Sequence, residues 1–308
     1  MPALLGSPNL VLRGLKAAFM EGVQSVRPSL IPRIAQEIPS DGASEKYIYP
    51  TAMPKPRKWT DERAAKSINA LLTYELTNET YELSLEFGKE LLDDCKVFAL
   101  SDLLREAGMS CEMHPDELLS LLVQNGDQSG YTAYDGQIFY VNNAHKFAGA
   151  GTSADNVLTG SGTTVTDFKS NFQIAVRMLK NFKDNEGRLF NNVQSGRQNL
   201  VAHVPTALEY IAREALNASM IAATNNIIVG EADVIADGYL DDTNDWYLHL
   251  VGMPQKPFIY QNREPLSVVT LGPDSEFCTR TGKVGIYARR RFKLGYHRWE
   301  RSIMVTNT

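Results

Sequence analysis

The sequence predicts an α+β fold. Three observations carry that reading: a helical, proline-interrupted first half, a strand-rich second half, and the absence of an internal repeat. The chain has 308 residues, room for two domains or one large one, and folding at this length buries about three quarters of the unfolded surface. With 43% hydrophobic and 22% charged residues, the composition is that of a globular protein and argues against long disorder. A net charge of −5 argues against a surface built to grip nucleic acid, which needs clustered Lys and Arg.

Residues 1–50 offer one short helix near Leu10 to Phe19, followed by Pro28, Pro32, Pro39 and Pro50. Each proline removes a donor and pushes its predecessor into an extended conformation. The segment is therefore expected to reach across something and not to form a core of its own. "YPTAMPKPRKW" continues that style as far as Trp59. From Tyr74 the pattern alternates: Tyr81, Leu83, Leu85 and Phe87 on one face, Glu82, Ser84 and Glu86 on the other. The phase slips at Asn78 and Glu79, as a turn or bulge would make it.

Helical spacing follows. In "KELLDDCKVFALSDLLREAG" the predicted apolar stripe is Leu91, Leu92, Cys95, Phe98, Ala99 and Leu103. "HPDELLSLLVQNG" extends it, with Pro115 suited to a first helical turn and Asp116 and Glu117 behind it. The two pieces read as one long kinked helix or as two in line. "YDGQIFYV" is expected to be a strand. The Gly/Ser/Thr-rich stretch 146–164 reads as a flexible loop, because neither GxGxxG nor GxxxxGK[ST] can be laid on it. Thr166 is expected to cap a helix with the stripe Phe168, Phe172, Ala175, Leu179 and Phe182, and Thr206 to cap a second one. After the short strand "NLVAHVP" and that second helix, "NIIVGEADVIAD", "WYLHLVG", "KPFIYQ", "LSVVTLG" and "TGKVGIYARRRFKLGYHRW" read as strands.

Chemistry is sparse. Cys95, Cys111 and Cys278 form no CxxC pair and fit buried thiols in a reducing compartment. No apolar run approaches a membrane span, and the N-terminus lacks the basic start of a signal peptide, so a cytoplasmic setting is expected. "ADGYLDDTNDWYLHL" holds Asp237, Asp241, Asp242 and Asp245, but neither register places the Gly and Glu that an EF-hand loop requires. It reads as a solvated turn between strands. The histidines His114, His145, His203, His249 and His297 show no HxxxH or HExxH spacing. Asp93 and Asp94 are adjacent on a helix and point about 100° apart. No catalytic site, cofactor or metal is expected.

The charge pattern is more informative. Glu75, Glu79, Glu82, Glu86, Glu90, Asp93 and Asp94 crowd residues 75–94, whereas Arg280, Lys283, Arg289, Arg290, Arg291, Lys293, Arg298 and Arg301 crowd the end. They are either two solvated faces or patches that meet between copies of the chain, since complementary fields steer association. On the second reading, the candidate contacts between subunits are Glu75, Glu79, Glu82, Glu86, Asp93, Asp94, Arg289, Arg290 and Arg291. Trp59 joins them as an apolar anchor.

In order along the chain, "MPKPRKW", "TNETYELSLEFGKELLDD", "HPDELLSLLVQNG", "YDGQIFY", "ADGYLDDTNDWYLHL", "KPFIYQNREP" and "RRRFKLGYHRW" resemble the major head (major capsid) protein of Mu-like tailed phages. The resemblance covers roughly residues 50–300 and departs in the glycine-rich stretch and near 185–200. It implies the Hong Kong 97-type capsid fold: an N-terminal arm (1–46), an extended loop (47–88), a peripheral domain with a spine helix (89–195), an axial domain (196–272) and a return to the peripheral domain (273–308). It also implies a virion protein, assembled in the host cytoplasm, that forms hexamers and pentamers around double-stranded DNA, with scaffold, portal and decoration proteins as partners. A nanocompartment shell protein of the same fold and an unidentified cytoplasmic enzyme are the rival readings.

Overall fold

The computed structural model describes residues 8–50, 56, 58, 59, 63, 70–94, 97–145, 154–183, 189–191, 194–221 and 224–307. Helix and sheet are both substantial, as the sequence predicts. The elements run α1 (Pro8–Ser25), α2 (Ile31–Ile34), β1 (Ala35–Pro39), β2 (Ser44–Pro50), β3 (Ala70–Thr77), β4 (Glu79–Gly88), α3 (Lys89–Asp94) and α4 (Val97–Gln124). They continue with β5 (Val157–Thr159), α5 (Val165–Asn181), β6 (Leu200–Pro205), α6 (Glu209–Asn217), β7 (Met220–Ile221), β8 (Thr224–Asn225) and β9 (Asp233–Asp237). β10 (Trp246–Leu250), β11 (Phe258–Leu271), α7 (Glu276–Thr281), β12 (Lys283–Tyr296) and β13 (Ser302–Thr306) complete the chain.

Two sheets organise these elements. One has the order β1-β11-β12-β4, the other β5-β13-β10-β6-β9. The larger core surrounds the second sheet. There α5 buries Phe168, Phe172, Ala175, Leu179 and the following Phe182, as its period predicts, against Trp246, Leu248 and Val305. A smaller core lies between α1, the first half of α4 and the first sheet, and joins Leu12, Leu15, Phe19, Leu100, Leu104, Phe87, Val284 and Ile286. There α1 and α4 touch backbone to backbone. A Cβ on Gly22 would lie 2.1 Å from the Arg105 carbonyl oxygen, and one on Gly108 would lie 2.2 Å from that of Phe19.

The structure corrects several expectations. Residues 8–50 do have partners in their own chain: α1 is 18 residues long and packs on α4, Ile31 and Ile34 enter the larger core, and β1 pairs with β11. The spacing Leu12, Leu15, Phe19 already gave α1 one apolar face, which the prolines downstream obscured. On α4 the buried stripe is Leu100 and Leu104; Leu91 and Leu103 are exposed. The side chains of Leu92, Cys95, Phe98 and Ala99, which complete the expected stripe, lie outside the described residues. "YDGQIFYV" forms a turn with an isolated bridge between Thr132 and Ile138, not a strand. Helix α5 is capped by Thr164, whose hydroxyl accepts from the Asp167 N–H in a capping box; Thr166 lies inside the helix. Thr206 opens a short 3-10 turn, and α6 begins only at Glu209, with no side-chain cap.

Candidate functional site

Many of the residues singled out by charge, Glu79, Glu82, Glu86, Lys283, Arg289, Arg290, Arg291 and Lys293, lie on one antiparallel pair of strands, β4–β12. Its register sets Arg289 opposite Glu82, Arg290 opposite Tyr81, Arg291 opposite Thr80 and Gly285 opposite Glu86. Opposite charges on neighbouring strands support pairing, and exposed pairs contribute about 0–1 kcal/mol each. Lys283 Nζ lies 3.1 Å from Glu86, Arg289 3.5 Å from Glu264 on β11, and Lys293 forms an ion pair with Glu79. Burial raises the Glu79 carboxyl, but the Lys293 ammonium and the Tyr81 hydroxyl outweigh it and hold the group below the usual range. Glu75 sits on β3, where the Ser44 hydroxyl at 2.6 Å and Lys46 at 3.6 Å keep its carboxyl low. The complementary runs therefore meet within one chain.

Arg290 differs from its two neighbours. Parity along β12 puts it with Val284, Ile286, Ala288, Phe292 and Leu294 on the inward face. Its guanidinium donates to the Cys111 carbonyl and to the Tyr260 hydroxyl, each at 3.2 Å, and lies 3.7 Å from Glu112. Arg289 points outward and is exposed, and Arg291 is half-buried. Trp59 is 62% exposed. Asp93 and Asp94 lie on α3, with side chains outside the described residues.

The aspartate-rich stretch is more structured than a solvated turn. Asp242 accepts from the backbone N–H groups of Asn244 and Asp245, an Asx arrangement. Asp237, however, is buried at the end of β9. It accepts from Ser120 Oγ at 2.5 Å and from the Tyr239 N–H at 2.9 Å, and lies 2.8 Å from His203 Nε2. Burial raises the Asp237 carboxyl, but His203, Ser120 and the Tyr239 N–H outweigh it and leave it below the usual range. The order is Ser–Asp–His, with the carboxylate in the middle. No imidazole stands between nucleophile and acid, so the group cannot act as a triad does. Among the described residues, no group of three or more His, Cys, Asp and Glu side chains could hold a metal.

Sequence reasoning missed two further clusters. Along α4, Asp116, Ser120 and Gln124 share one face at four-residue spacing. Asp116 accepts the N–H groups of Ser29, Leu30 and Ile31 at 2.6–2.9 Å, Ser120 meets Asp237, and Gln124 bridges to Asp241. At the root of β2, Tyr49 stacks on Tyr134 at 4.1 Å, with the Arg298 guanidinium 4.9 Å from the Tyr49 ring. Arg298 in turn lies 3.7 Å from the buried Glu300, which Tyr134 also contacts through its hydroxyl. The Tyr49 hydroxyl is 2.5 Å from His297 Nδ1. Burial, reinforced by Arg298 and Arg301, pushes His297 down to about 3.

Every cluster thus found joins one part of the chain to another, and none presents reactive atoms to a substrate. Comparison with known proteins agrees. The family model described as Mu-like prophage major head subunit gpT matches residues 9–168. The major capsid protein of Escherichia phage Mu is 26% identical over 122 residues, 40% of this chain. That alignment spans only 39% of the Mu protein's own length. Among solved structures, a chain of the bacteriophage JBD30 procapsid superposes with a TM-score of 0.56 at 20% identity, covering 98% of this chain and 77% of that one. A chain of the JBD30 capsid decorated with minor capsid protein trimers gives 0.59 at 18% identity over 71% of this chain and 93% of the other. A chain of the virus-like particle from Pyrococcus furiosus gives 0.56 at 11% identity over 96% of this chain and 98% of that one. These likenesses show the fold, the Hong Kong 97-type fold of phage capsid proteins. With its family model matched over more than half of its length, the chain belongs to the Mu-like prophage major head subunit family.

Proposed function

We propose that this chain is the building block of an icosahedral phage head, assembling with copies of itself into hexamers and pentamers around double-stranded DNA. The observation that carries the proposal is the family match, joined to a likeness in fold that extends over nearly the whole chain. In this reading residues 1–46 are the N-terminal arm, 47–88 the extended loop, 89–195 the peripheral domain with α4 as its spine, 196–272 the axial domain, and 273–308 the return. β11 then carries the chain from the axial domain back to the first sheet. Trp59, exposed on the loop, would contact a neighbouring subunit, as would the outward Glu82 and Arg289. Scaffold, portal and decoration proteins would be further partners, the finished protein would reside in the virion, and assembly would take place in the host cytoplasm.

Electron microscopy of the chain expressed alone tests the proposal: closed shells or hexamers are expected, and a monodisperse monomer under all assembly conditions would overturn it. A nanocompartment shell shares the fold, and the contents of purified particles separate the two readings. Packaged DNA in particles made during phage growth supports the head, and a folded protein cargo supports the compartment.

A further inference from the structure

Helix α4 contains Pro115, and its hydrogen-bond inventory is unusual there. Proline has no N–H, so the carbonyl four residues back, that of Cys111, loses its helical donor. A buried carbonyl left without a partner is costly. Here Arg290 of β12 supplies the donor from Nη1 at 3.2 Å, while its Nη2 donates to Tyr260 at 3.2 Å. Position 111 is thus held by a side chain from another element, as is Leu122 in the last turn, whose carbonyl accepts from the Tyr296 hydroxyl.

The break also falls between two cores. Upstream, Leu100 and Leu104 belong to the smaller core, and the close approaches of Gly22 to the Arg105 carbonyl and of Gly108 to the Phe19 carbonyl lock that half of α4 to α1. Downstream, Leu119 and Val123 belong to the larger core, and Asp116, Ser120 and Gln124 tie that half to α2, β9 and the turn after it. Beside the break lies a groove of about 200 Å³ lined by Ser110, Cys111, His114, Tyr81, Leu266 and Arg290. Side chains at the break therefore have room to shift.

We propose that Pro115 and Arg290 form a bolted hinge in α4. Its two halves follow separate cores, and releasing one guanidinium lets them reorient without breaking a backbone hydrogen bond. Elsewhere in the helix, the same bend would require opening the ladder. Arg290 is the bolt because it supplies the Cys111 carbonyl with a donor in place of the N–H that Pro115 lacks.

Spin labels carried by unnatural side chains at the exposed positions 103 and 121 test this, since 18 residues of helix separate them by about 27 Å. In free subunits, Pro115→Ala, which restores the backbone donor, is expected to narrow the distance distribution relative to wild type, and Arg290→Met to broaden it. Equal widths in the three proteins would overturn the hinge. The two sites should also couple in thermal melts. Arg290→Met should lower the midpoint markedly in the wild-type chain and much less in Pro115→Ala, whose Cys111 carbonyl no longer depends on Arg290. Equal losses in the two backgrounds would refute the assignment of Arg290 as Pro115's substitute donor. If Pro115→Ala fails to fold, an unchanged width in Arg290→Met suffices to overturn the proposal.

Discussion

Asp237 shows how a residue that reads as a turn former becomes structural. It ends β9, but its carboxylate serves Ser120 from α4, the Tyr239 N–H and His203 from β6. Replacing it with alanine leaves a buried hydroxyl and a buried imidazole nitrogen unpaired, a loss of about 2–3 kcal/mol. Urea denaturation of Asp237→Ala should show that loss, and a change within error would refute the network's role. His297 gives a second test, through pH. Its folded-state pKa of about 3 lies below the ordinary histidine value, because burial and then Arg298 and Arg301 disfavour the cation. The unfolded chain therefore takes up a proton near neutrality that the folded chain refuses. The associated stability is full above about pH 6.5 and is lost as pH falls toward 3, with a slope of about 1.4 kcal/mol per pH unit. His249, fully buried and beside His203, is lowered with the same sign. His297→Gln should flatten stability against pH between 6 and 4, measured by denaturation at each pH.

At the scale of elements, local chemistry decides where each helix begins. In α5 the capping box joins the Thr164 hydroxyl to the Asp167 N–H at 3.2 Å and the Asp167 carboxylate back to Thr164. Thr164→Ala should cost about 1 kcal/mol, whereas Thr166→Ala, exposed within the helix, should stay within about 0.5 kcal/mol of wild type. Reversed costs in chemical denaturation would move the start of the helix. β4 shows a different device. β12 pairs with one of its edges, and Glu82, Ser84 and Glu86 alternate along its solvent face. Charges so placed discourage unwanted strand addition.

At the scale of the molecule, the acidic and basic runs meet on β4 and β12 of one chain. Arg289 and Arg290 should therefore part company on substitution. Arg289→Glu faces solvent beside Glu82 and Glu264, and circular dichroism should show a folded chain destabilised by about 1 kcal/mol or less. Arg290→Glu would bury a carboxylate beside Glu112 and the Cys111 carbonyl and should cost about 3 kcal/mol or more. A triple reversal of Arg289, Arg290 and Arg291 then tests folding before it tests assembly. The single Arg289→Glu variant is the cleaner probe of contacts between subunits.

The sequence by itself determined the α+β class, the faces of α5 and β4, and the family, because periodicity and ordered motifs are local properties that survive without coordinates. It also contained the inward parity of Arg290, since Val284, Ile286, Ala288 and Phe292 alternate with it. Only the tertiary structure decided which charges pair, because β4 and β12 are about 200 residues apart in the chain and register is set by the sheet. Likewise Asp116, Ser120 and Gln124 look like an ordinary polar face until the segments they hold arrive from residues 29–31, 237 and 241. The start of the chain was misread because prolines mark where a helix cannot continue and say nothing about what the preceding helix packs on. That partner, α4, lies some 80 residues downstream, and burial against it gives α1 its place.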